Sequence, residues 1–182
     1  MLPPMIEIFS MLNIAINGFG RIGRVAARAM TERKGMTLVA VNDLTQPKIL
    51  AHLLKYDSVF RAWNHKVTAG KDHLKIDGRV IPVFTQTDPA LIAWKSAKVD
   101  VVIESTGRFT KLEDARKHLA AGAKKVVISA PSDEAPTFLM GVNHEMCTHK
   151  DTVVNNASCT TNSVAPVAQI LEDAIGIKKA MM

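Results

Sequence analysis

Three glycines in the stretch NGFGRIGR constrain the fold of this chain more than any other feature. Gly18 ends the apolar run LNIAING, and Gly20 precedes RIGRVAARAMTERKG, a segment with helical periodicity whose first turn contains Gly23. A second apolar run, TLVAVND, comes next and ends at Asp43. A strand, a glycine turn, a helix and a second strand in this order predict a β-α-β unit whose two strands are parallel.

The same alternation continues through most of the chain. KVDVVIES and KKVVISAP have the composition of buried strands, KLEDARKHLAAG that of a helix, and TFLMGVN and DTVVNNA that of weaker strands. In HLKIDGRVIPVF, Asp77-Gly78 predicts a hairpin turn, and Pro82 predicts that the second arm lies at a sheet edge. The predicted class is therefore α/β, a doubly wound (Rossmann) parallel sheet with an inserted hairpin. Ligand sites of such sheets lie beyond the carboxyl ends of the strands.

Local patterns predict how individual helices begin and pack. Thr110 and Glu113 have the spacing of a capping box, and Gly122 is placed to end the helix that they open. The apolar face predicted for the first helix comprises Ile22, Val25, Ala26, Ala29 and Met30.

The glycine turn has the G-x-G-x-x-G spacing of a dinucleotide-binding loop. Gly18 permits the tight turn, Gly20 lets the backbone approach a pyrophosphate, and Gly23 allows close packing of helix on strand. Asp43, at the end of the second strand, can accept hydrogen bonds from ribose hydroxyls and would repel a 2′-phosphate, which favours NAD over NADP. In ESTGRF, Thr106 and Gly107 offer further polar contacts. The alternative is a structural turn followed by an ordinary strand-end aspartate.

NNASCTTNSVAP places Cys159 just before, or at, the start of a helix. A helix N-terminus favours a thiolate, the nucleophilic form of cysteine. Ser158, Thr160 and Thr161 surround the sulfur with hydroxyl groups, which suits an anionic transition state or a bound phosphate. Because Pro166 belongs in a first turn or bends a helix, two helix starts are possible, one at the cysteine and one near residue 163.

A metal site is the competing interpretation of this region. His144, Cys147, His149 and Cys159 lie close in sequence, but their spacing is not that of a usual zinc site, so no metal is predicted. The other histidines occur in helix or hairpin contexts and are predicted at the surface: His52, His65, His73 and His118.

Composition narrows the possible surroundings and partners. The 23 Lys and Arg residues against 17 Asp and Glu give a net charge of +6, but the basic residues are dispersed, which disfavours nucleic acid as the main partner. Two cysteines are too few for a disulfide scaffold, and no apolar run has the length of a membrane span. The N-terminal stretch lacks a basic region and Met11 could be the first residue. These features predict a cytoplasmic protein without a membrane partner.

Several motifs together resemble a known enzyme family. INGFGRIGR, VNDL, LLKYDSV, ESTGRF, SAP, GVNH and NASCTTNSVAP are similar, in order and register, to motifs of phosphorylating NAD-dependent glyceraldehyde-3-phosphate dehydrogenases. The resemblance covers nearly all of residues 12–182. It implies oxidation of glyceraldehyde 3-phosphate with NAD and inorganic phosphate in glycolysis.

The resemblance also implies a role for particular residues. Cys159 would attack the aldehyde to form a thiohemiacetal, and phosphate would cleave the thioester that follows. Ser158 and Thr160 would help to hold this phosphate. The cofactor contacts implied in the same way are Gly18, Gly20, Arg21, Ile22, Gly23, Asp43, Thr106, Gly107 and Ser129. Thr87 stands where the family often has an arginine.

The resemblance implies three segments: an extension (residues 1–11), an NAD-binding Rossmann domain (12–158) and the start of a catalytic domain (159–182). Family members continue into a strand that carries a histidine base, whereas no histidine follows Cys159 here. Since a general base contributes about 10²- to 10⁴-fold, this chain alone is expected to be poorly active. The family's homotetramer is not expected of so short a chain. A non-catalytic NAD-binding remnant and an erythrose-4-phosphate dehydrogenase are the alternatives.

Overall fold

The computed structural model describes residues 11–181, so most of the predicted N-terminal extension lies outside the described residues. Over these residues the chain forms eight strands and four α-helices. The strands are β1 (Leu12–Asn17), β2 (Met36–Asn42), β3 (Val67–Ala69), β4 (His73–Ile76), β5 (Arg79–Phe84), β6 (Val101–Glu104), β7 (Lys125–Ile128) and β8 (Val153–Asn155). The helices are α1 (Arg21–Thr31), α2 (Pro47–Lys55), α3 (Leu112–Ala120) and α4 (Cys159–Ile175).

The strands form one sheet in the order β3-β4-β5-β2-β1-β6-β7-β8. Neighbouring strands are parallel along the run β5-β2-β1-β6-β7-β8. Strand β4 pairs antiparallel with β5 in the hairpin, and β3 pairs antiparallel with β4. The chain leaves β1 toward β2 on one side and later returns to β6 on the other. The strand order therefore reverses between β1 and β6, which confirms the predicted doubly wound α/β fold.

Both faces of the central strands are buried, as expected for a parallel sheet between helices. Ile14 and Ile16 of β1 pack on one face with residues of α1 and α2. Ala15, which points to the other face, packs with Ala40 of β2 around the fully buried Trp94. Small residues on the strands thus make room for one large aromatic ring on this face.

Helix α1 packs with a face that matches the predicted one only in part, at Met30 and Ala26. Gly23, Ala27 and Met30 are buried, whereas Ile22 is 59% exposed and Ala29 is also exposed. Gly23 must face the sheet because a Cβ there would lie 2.3 Å from the Gly18 carbonyl oxygen. The steric demand of the glycine turn therefore sets the rotation of the helix about its axis.

Arg28 of α1 is also buried, which a hydrophobicity pattern does not predict. Its guanidinium group donates hydrogen bonds to the carbonyl oxygens of Leu54 and Arg61 and lies 5.7 Å from the Trp63 ring centroid. A buried cation that is hydrogen-bonded to carbonyl oxygens and stacked on an indole can occupy a core position.

The predicted hairpin is present, but the predicted edge position of its second arm is wrong. Asp77 and Gly78 form the turn with positive φ values of 48° and 88°. Strand β5 is internal because it also pairs with β2, through Val83 and Phe84. Pro82 precedes this shared stretch, so its missing N–H does not interrupt the pairing with β2.

Three further expectations are corrected by the structure. Helix α3 begins at Leu112, whose N–H donates to Glu134 at 2.8 Å, and the predicted capping box does not form. TFLMGVN contributes one isolated bridge, between Thr137 and Asn155, and then turns. His118, predicted at the surface, is completely buried.

Helix α4 starts at the cysteine and contains Pro166, which decides between the two possible helix starts. It ends at Gly176, whose φ is +73°. None of its residues is buried, and its apolar residues, such as Val164 (45%) and Ile170 (66%), are exposed within residues 11–181.

An ionic cluster ties α1 to the hairpin. The Nε2 atom of His65 lies 3.0 Å from a Glu32 carboxylate oxygen, and its Nδ1 atom is hydrogen-bonded to Asp77. The hydrogen bond to Asp77 is the main cause that raises the pKa of His65, and partial desolvation opposes it. The same contacts lower the pKa values of Asp77 and Glu32.

This cluster predicts a pH-dependent contribution to stability. Because the pKa of His65 is raised in the folded state, its contribution is fully present below the ordinary value of 6.5 and is lost as the pH rises through the raised value. His65→Asn should therefore lower the melting temperature more at about pH 5.5 than at about pH 9. His149→Asn, at an exposed histidine, is the control and should show no such difference. Equal losses at both pH values for His65→Asn would contradict the prediction.

The glycine turn predicts unequal costs for two alanine substitutions. A Cβ at Gly23 would meet backbone and side-chain atoms at 2.3–3.0 Å, whereas a Cβ at Gly20 would meet nothing within 4 Å. Gly23→Ala should therefore destabilise the fold by roughly 1–3 kcal/mol. Gly20→Ala should change the free energy of unfolding by less than about 0.5 kcal/mol. Urea denaturation of both variants measures the difference, and equal midpoints would refute this account of α1 packing.

Candidate active site

A cleft with a volume of about 280 Å³ opens at the carboxyl ends of β1, β2 and β6. It lies where the strand order reverses, the usual ligand position in a doubly wound sheet. Its lining consists mostly of small and polar residues: Asn17, Gly18, Gly20, Asn42, Asp43, Leu44, Gln86, Thr87, Ser105, Thr106, Arg108 and Phe109.

The glycine turn gives the cleft a floor of exposed backbone. Gly18 has a φ of +86°, and a Cβ there would lie 2.6 Å from the Thr106 nitrogen, so only glycine fits. Gly20 precedes the first residue of α1, and the space beside it is open. No side chain of residues 11–181 caps this helix. Its first N–H groups can therefore bind an anion such as a pyrophosphate.

Asp43 joins the turns that follow β1 and β2. Its Oδ2 atom accepts a hydrogen bond from the Phe19 N–H at 2.7 Å, and its Oδ1 atom accepts one from the Thr45 N–H at 2.8 Å. Each carboxylate oxygen has further acceptor capacity, and the residue lines the cleft. The carboxylate can thus accept hydrogen bonds from a ligand's hydroxyl groups while it holds the glycine turn.

Polar residues that end three neighbouring strands are linked beneath the cleft. The Asn42 side chain donates to the Asn17 side chain at 2.7 Å, and Asn17 donates to Glu104. The other Glu104 oxygen accepts a hydrogen bond from the Thr106 N–H at 2.8 Å and another from its hydroxyl group. Glu104 is 1% exposed and its contact with Asn17 is buried, whereas Thr106 is partly exposed at the cleft.

The cysteine lies at the same edge of the sheet, after β8. Cys159 is the first residue of α4 and is exposed. Ser158 is the N-cap, and its hydroxyl group accepts a hydrogen bond from the Thr161 N–H at 3.0 Å and contacts the Thr160 hydroxyl group at 2.8 Å. Ala157 before it has a φ of +56°. The sulfur and several hydroxyl groups thus lie together at a helix N-terminus.

The structure brings only part of the predicted cofactor set together. Gly18, Gly20, Asp43 and Thr106 line the cleft. Arg21 and Ile22 lie in the first turn of α1, where their N–H groups can face an anion, and Gly23 serves packing. The roles of all these residues stay predictions.

The remaining predicted residues lie outside the cleft lining. Gly107 follows Thr106 with a φ of +71°. Ser129 follows β7, between the cleft and the cysteine, and its N–H donates to the Glu104 carbonyl oxygen at 2.9 Å. Ser158, Cys159 and Thr160 follow β8, which is the third strand from β1 in the sheet order.

Sequence reasoning missed several cleft residues. Asn17 and Asn42 are buried at the ends of β1 and β2, and Gln86 follows β5. The sequence did contain one indication that Asn17 and Asn42 belong to a site, because each apolar strand pattern ends in a polar residue. The position of Gln86 beside Asn42 depends on the pairing of β5 with β2, which no local pattern predicts.

Two negative findings apply to residues 11–181. They contain no cluster of three histidine, cysteine or acidic side chains arranged to hold a metal ion. Cys147 follows the short 3₁₀ helix His144–Met146. No helix among them combines the length and the apolar character that crossing a lipid bilayer requires.

Known proteins resemble this chain over most of its length. Residues 12–112 match the family described as "Glyceraldehyde 3-phosphate dehydrogenase, NAD binding domain". A glyceraldehyde-3-phosphate dehydrogenase 1 of Bacillus cereus is 51% identical over 94% of this chain and 52% of its own length. Relatives from Debaryomyces hansenii and Saccharomyces cerevisiae are 49% and 47% identical over 94% of this chain and 51% and 52% of their own lengths.

The chain spans about half the length of the curated relatives it matches. The matched domain binds NAD, and the open glycine backbone, the uncapped helix and the Asp43 carboxylate fit a dinucleotide, so NAD is its cofactor. With a family match over residues 12–112 that includes the glycine turn and all the residues that line the cleft, the chain belongs to the glyceraldehyde-3-phosphate dehydrogenase family.

Proposed function

We propose that this chain supplies the NAD site and the nucleophile of a phosphorylating glyceraldehyde-3-phosphate dehydrogenase. The reaction is the oxidation of glyceraldehyde 3-phosphate, with inorganic phosphate, to 1,3-bisphosphoglycerate. The observation that carries the proposal is the exposed Cys159 at the start of α4, on the same sheet edge as the NAD cleft. In this proposal residues 12–158 form the cofactor domain, and residues 159–182 begin the catalytic domain.

The first chemical step belongs to Cys159. Its sulfur forms a bond to the aldehyde carbon, and the carbonyl oxygen takes up a proton, which gives a thiohemiacetal. The exposed position of the sulfur leaves room for the substrate. NAD, when bound, would accept the hydrogen and electron pair that leave this carbon; the proton of the hydroxyl group would pass to solvent, and a thioester would remain on the cysteine.

The second step uses the hydroxyl groups beside the sulfur. Ser158 and Thr160 are hydrogen-bonded to each other at 2.8 Å, and Thr160 is exposed. Together with the N–H groups at the start of α4, they form a polar surface suited to a phosphate. Attack of a phosphate oxygen on the thioester carbon breaks the carbon–sulfur bond, releases the acyl phosphate and restores the Cys159 thiolate.

A second candidate function is NAD binding without turnover. It is favoured by one observation: the residues that line the cleft all lie within this chain, whereas the chain spans about half the length of its relatives. Both functions share the cofactor site and differ in whether Cys159 reacts. The assay of the cysteine variants below separates them.

Asp43 predicts the choice of cofactor. A 2′-phosphate would bring negative charge next to its carboxylate, so NADP should bind at least about tenfold more weakly than NAD. Asp43→Asn should reduce this preference, although it also weakens the hold on the Phe19 N–H. Isothermal titration calorimetry with both nucleotides gives the ratio of the two dissociation constants.

The matched control is Asp133→Asn, which removes an exposed carboxylate elsewhere and should leave the ratio unchanged. Tighter binding of NADP than of NAD by the unaltered chain would overturn the assignment of Asp43.

The two exposed cysteines permit a direct test of the nucleophile. With the protein at high concentration, NAD, glyceraldehyde 3-phosphate and phosphate, we expect slow formation of NADH, followed by its absorbance. Cys159→Ser should reduce the rate to background because a hydroxyl group does not replace the thiolate, whereas Cys147→Ser should leave it unchanged.

Absence of NADH with the unaltered chain, although NAD binds, would leave the non-catalytic function as the correct one. Equal rates for Cys159→Ser and the unaltered chain would contradict the assignment of the nucleophile.

A further inference from the structure

We propose that Glu104 is a positioning residue for the NAD cleft, the acceptor on which two hydrogen-bond chains of fixed direction converge. The first chain orients Asn17, and Thr106 donates to the other oxygen of the same carboxylate; both residues line the cleft. The inference rests on the proposed function only in taking NAD as the ligand.

The first chain starts at a backbone peptide. The Gln86 N–H donates to the Asn42 side-chain oxygen at 2.8 Å, and the Asn42 amide group donates to the Gln86 carbonyl oxygen at 2.9 Å. These two bonds fix which end of the Asn42 side chain is the donor. Asn42 then donates to the Asn17 oxygen, so the amide group of Asn17 must point its hydrogens at Glu104.

The second chain starts at an indole, which can only donate. The Trp94 Nε1–H donates to the Nδ1 atom of His118 at 2.9 Å. Nδ1 therefore carries no proton, and the neutral ring carries its proton on Nε2. This proton points at the Glu104 Oε2 atom, 2.9 Å away. The Asn17 amide nitrogen lies 3.5 Å from His118 Nε2. The two atoms are neighbours because both donate to this Glu104 oxygen, and neither donates to the other.

The other carboxylate oxygen also receives only donors. Thr106 donates through its N–H and, because its hydroxyl oxygen accepts a hydrogen bond from the Arg108 N–H, through its hydroxyl proton as well. Glu104 thus receives four donors in a site that is 1% exposed. Only a group that carries no hydrogen can accept hydrogen bonds from all four donors, and an ionised carboxylate is such a group.

This convergence has a consequence for ligand binding. Because Asn17 and Thr106 are each held by the carboxylate, the cleft has its shape before a ligand arrives. A ligand then binds without immobilising these side chains, which would otherwise reduce affinity.

Glu104→Gln tests the inference because it keeps the size of the side chain and adds two hydrogens. The introduced amide group faces a donor on either side, so Asn17, His118 or Thr106 must turn away. We expect the dissociation constant for NAD to rise roughly tenfold in the folded protein, measured by calorimetry with the folded fraction checked by circular dichroism. Glu134→Gln, at an exposed carboxylate that accepts the Leu112 N–H, is the matched control and should bind like the unaltered chain.

A second substitution separates hydrogen-bond direction from simple loss of charge. Trp94→Phe removes the donor to His118 Nδ1, so the ring can move its proton there. Its Nε2 atom can then accept a hydrogen bond from the amide group that Glu104→Gln introduces. Asn17 still faces this amide group because it shares the Oε2 position with His118, so the double variant, Trp94→Phe with Glu104→Gln, should recover only part of the NAD affinity that Glu104→Gln loses. Trp63→Phe in the same background removes another buried indole, one bonded to Glu32, and should restore nothing. A purely structural role would lower the melting temperature without this rescue.

A measurement on the unaltered protein decides the inference even where a variant does not fold. Nitrogen NMR of the histidine rings should show His118 with its proton on Nε2. A proton on Nδ1, or on both nitrogens, overturns the inference. Equal NAD affinity of Glu104→Gln and the unaltered chain also overturns it. If the unaltered chain does not bind NAD, the proposed function fails, and the His118 tautomer still tests the direction of the hydrogen bonds.

Discussion

The cofactor edge of the sheet depends on how closely the turn after β1 approaches the end of β6. At Gly18 a single added carbon would lie 2.6 Å from the Thr106 nitrogen, and at Gly23 one would lie 2.3 Å from the Gly18 carbonyl oxygen. The turn therefore fills the gap between two strands and brings the start of α1 to the switch point. This contact places the first N–H groups of α1 and Thr106 on the same cleft.

Two carboxylates accept hydrogen bonds from the backbone N–H groups around this contact. Asp43 accepts from Phe19 and Thr45, and Glu104 accepts from Thr106, so these N–H groups are already satisfied. The first N–H groups of α1 have no side-chain cap in the described chain and remain for an anionic ligand. Among the backbone groups described above, those at the start of α1 are thus the ones left for an anion, and the carboxylates give the surrounding turns their shape.

Local pattern was sufficient to predict much of the fold, and long-range contacts account for most of the errors. Apolar periodicity predicted the β1-α1-β2 unit, and Asp77-Gly78 predicted the hairpin. The internal position of β5 depends on its pairing with β2, more than 40 residues away in sequence. His118 was misjudged because its ring is satisfied by Trp94 and Glu104, whose proximity only the folded sheet creates. Around Cys159 the sequence left two helix starts open and did not predict the left-handed Ala157.

The burial of Trp94 gives the molecule an internal optical probe. Its indole is fully shielded from solvent, and one imidazole ring separates it from the carboxylate under the cleft. The transition energy of an indole shifts with the local electric field, and a dinucleotide brings two phosphate charges into the cleft. With Trp63, the other tryptophan, replaced by phenylalanine, the emission colour of Trp94 therefore reports the electrostatic state of the cleft without any added label.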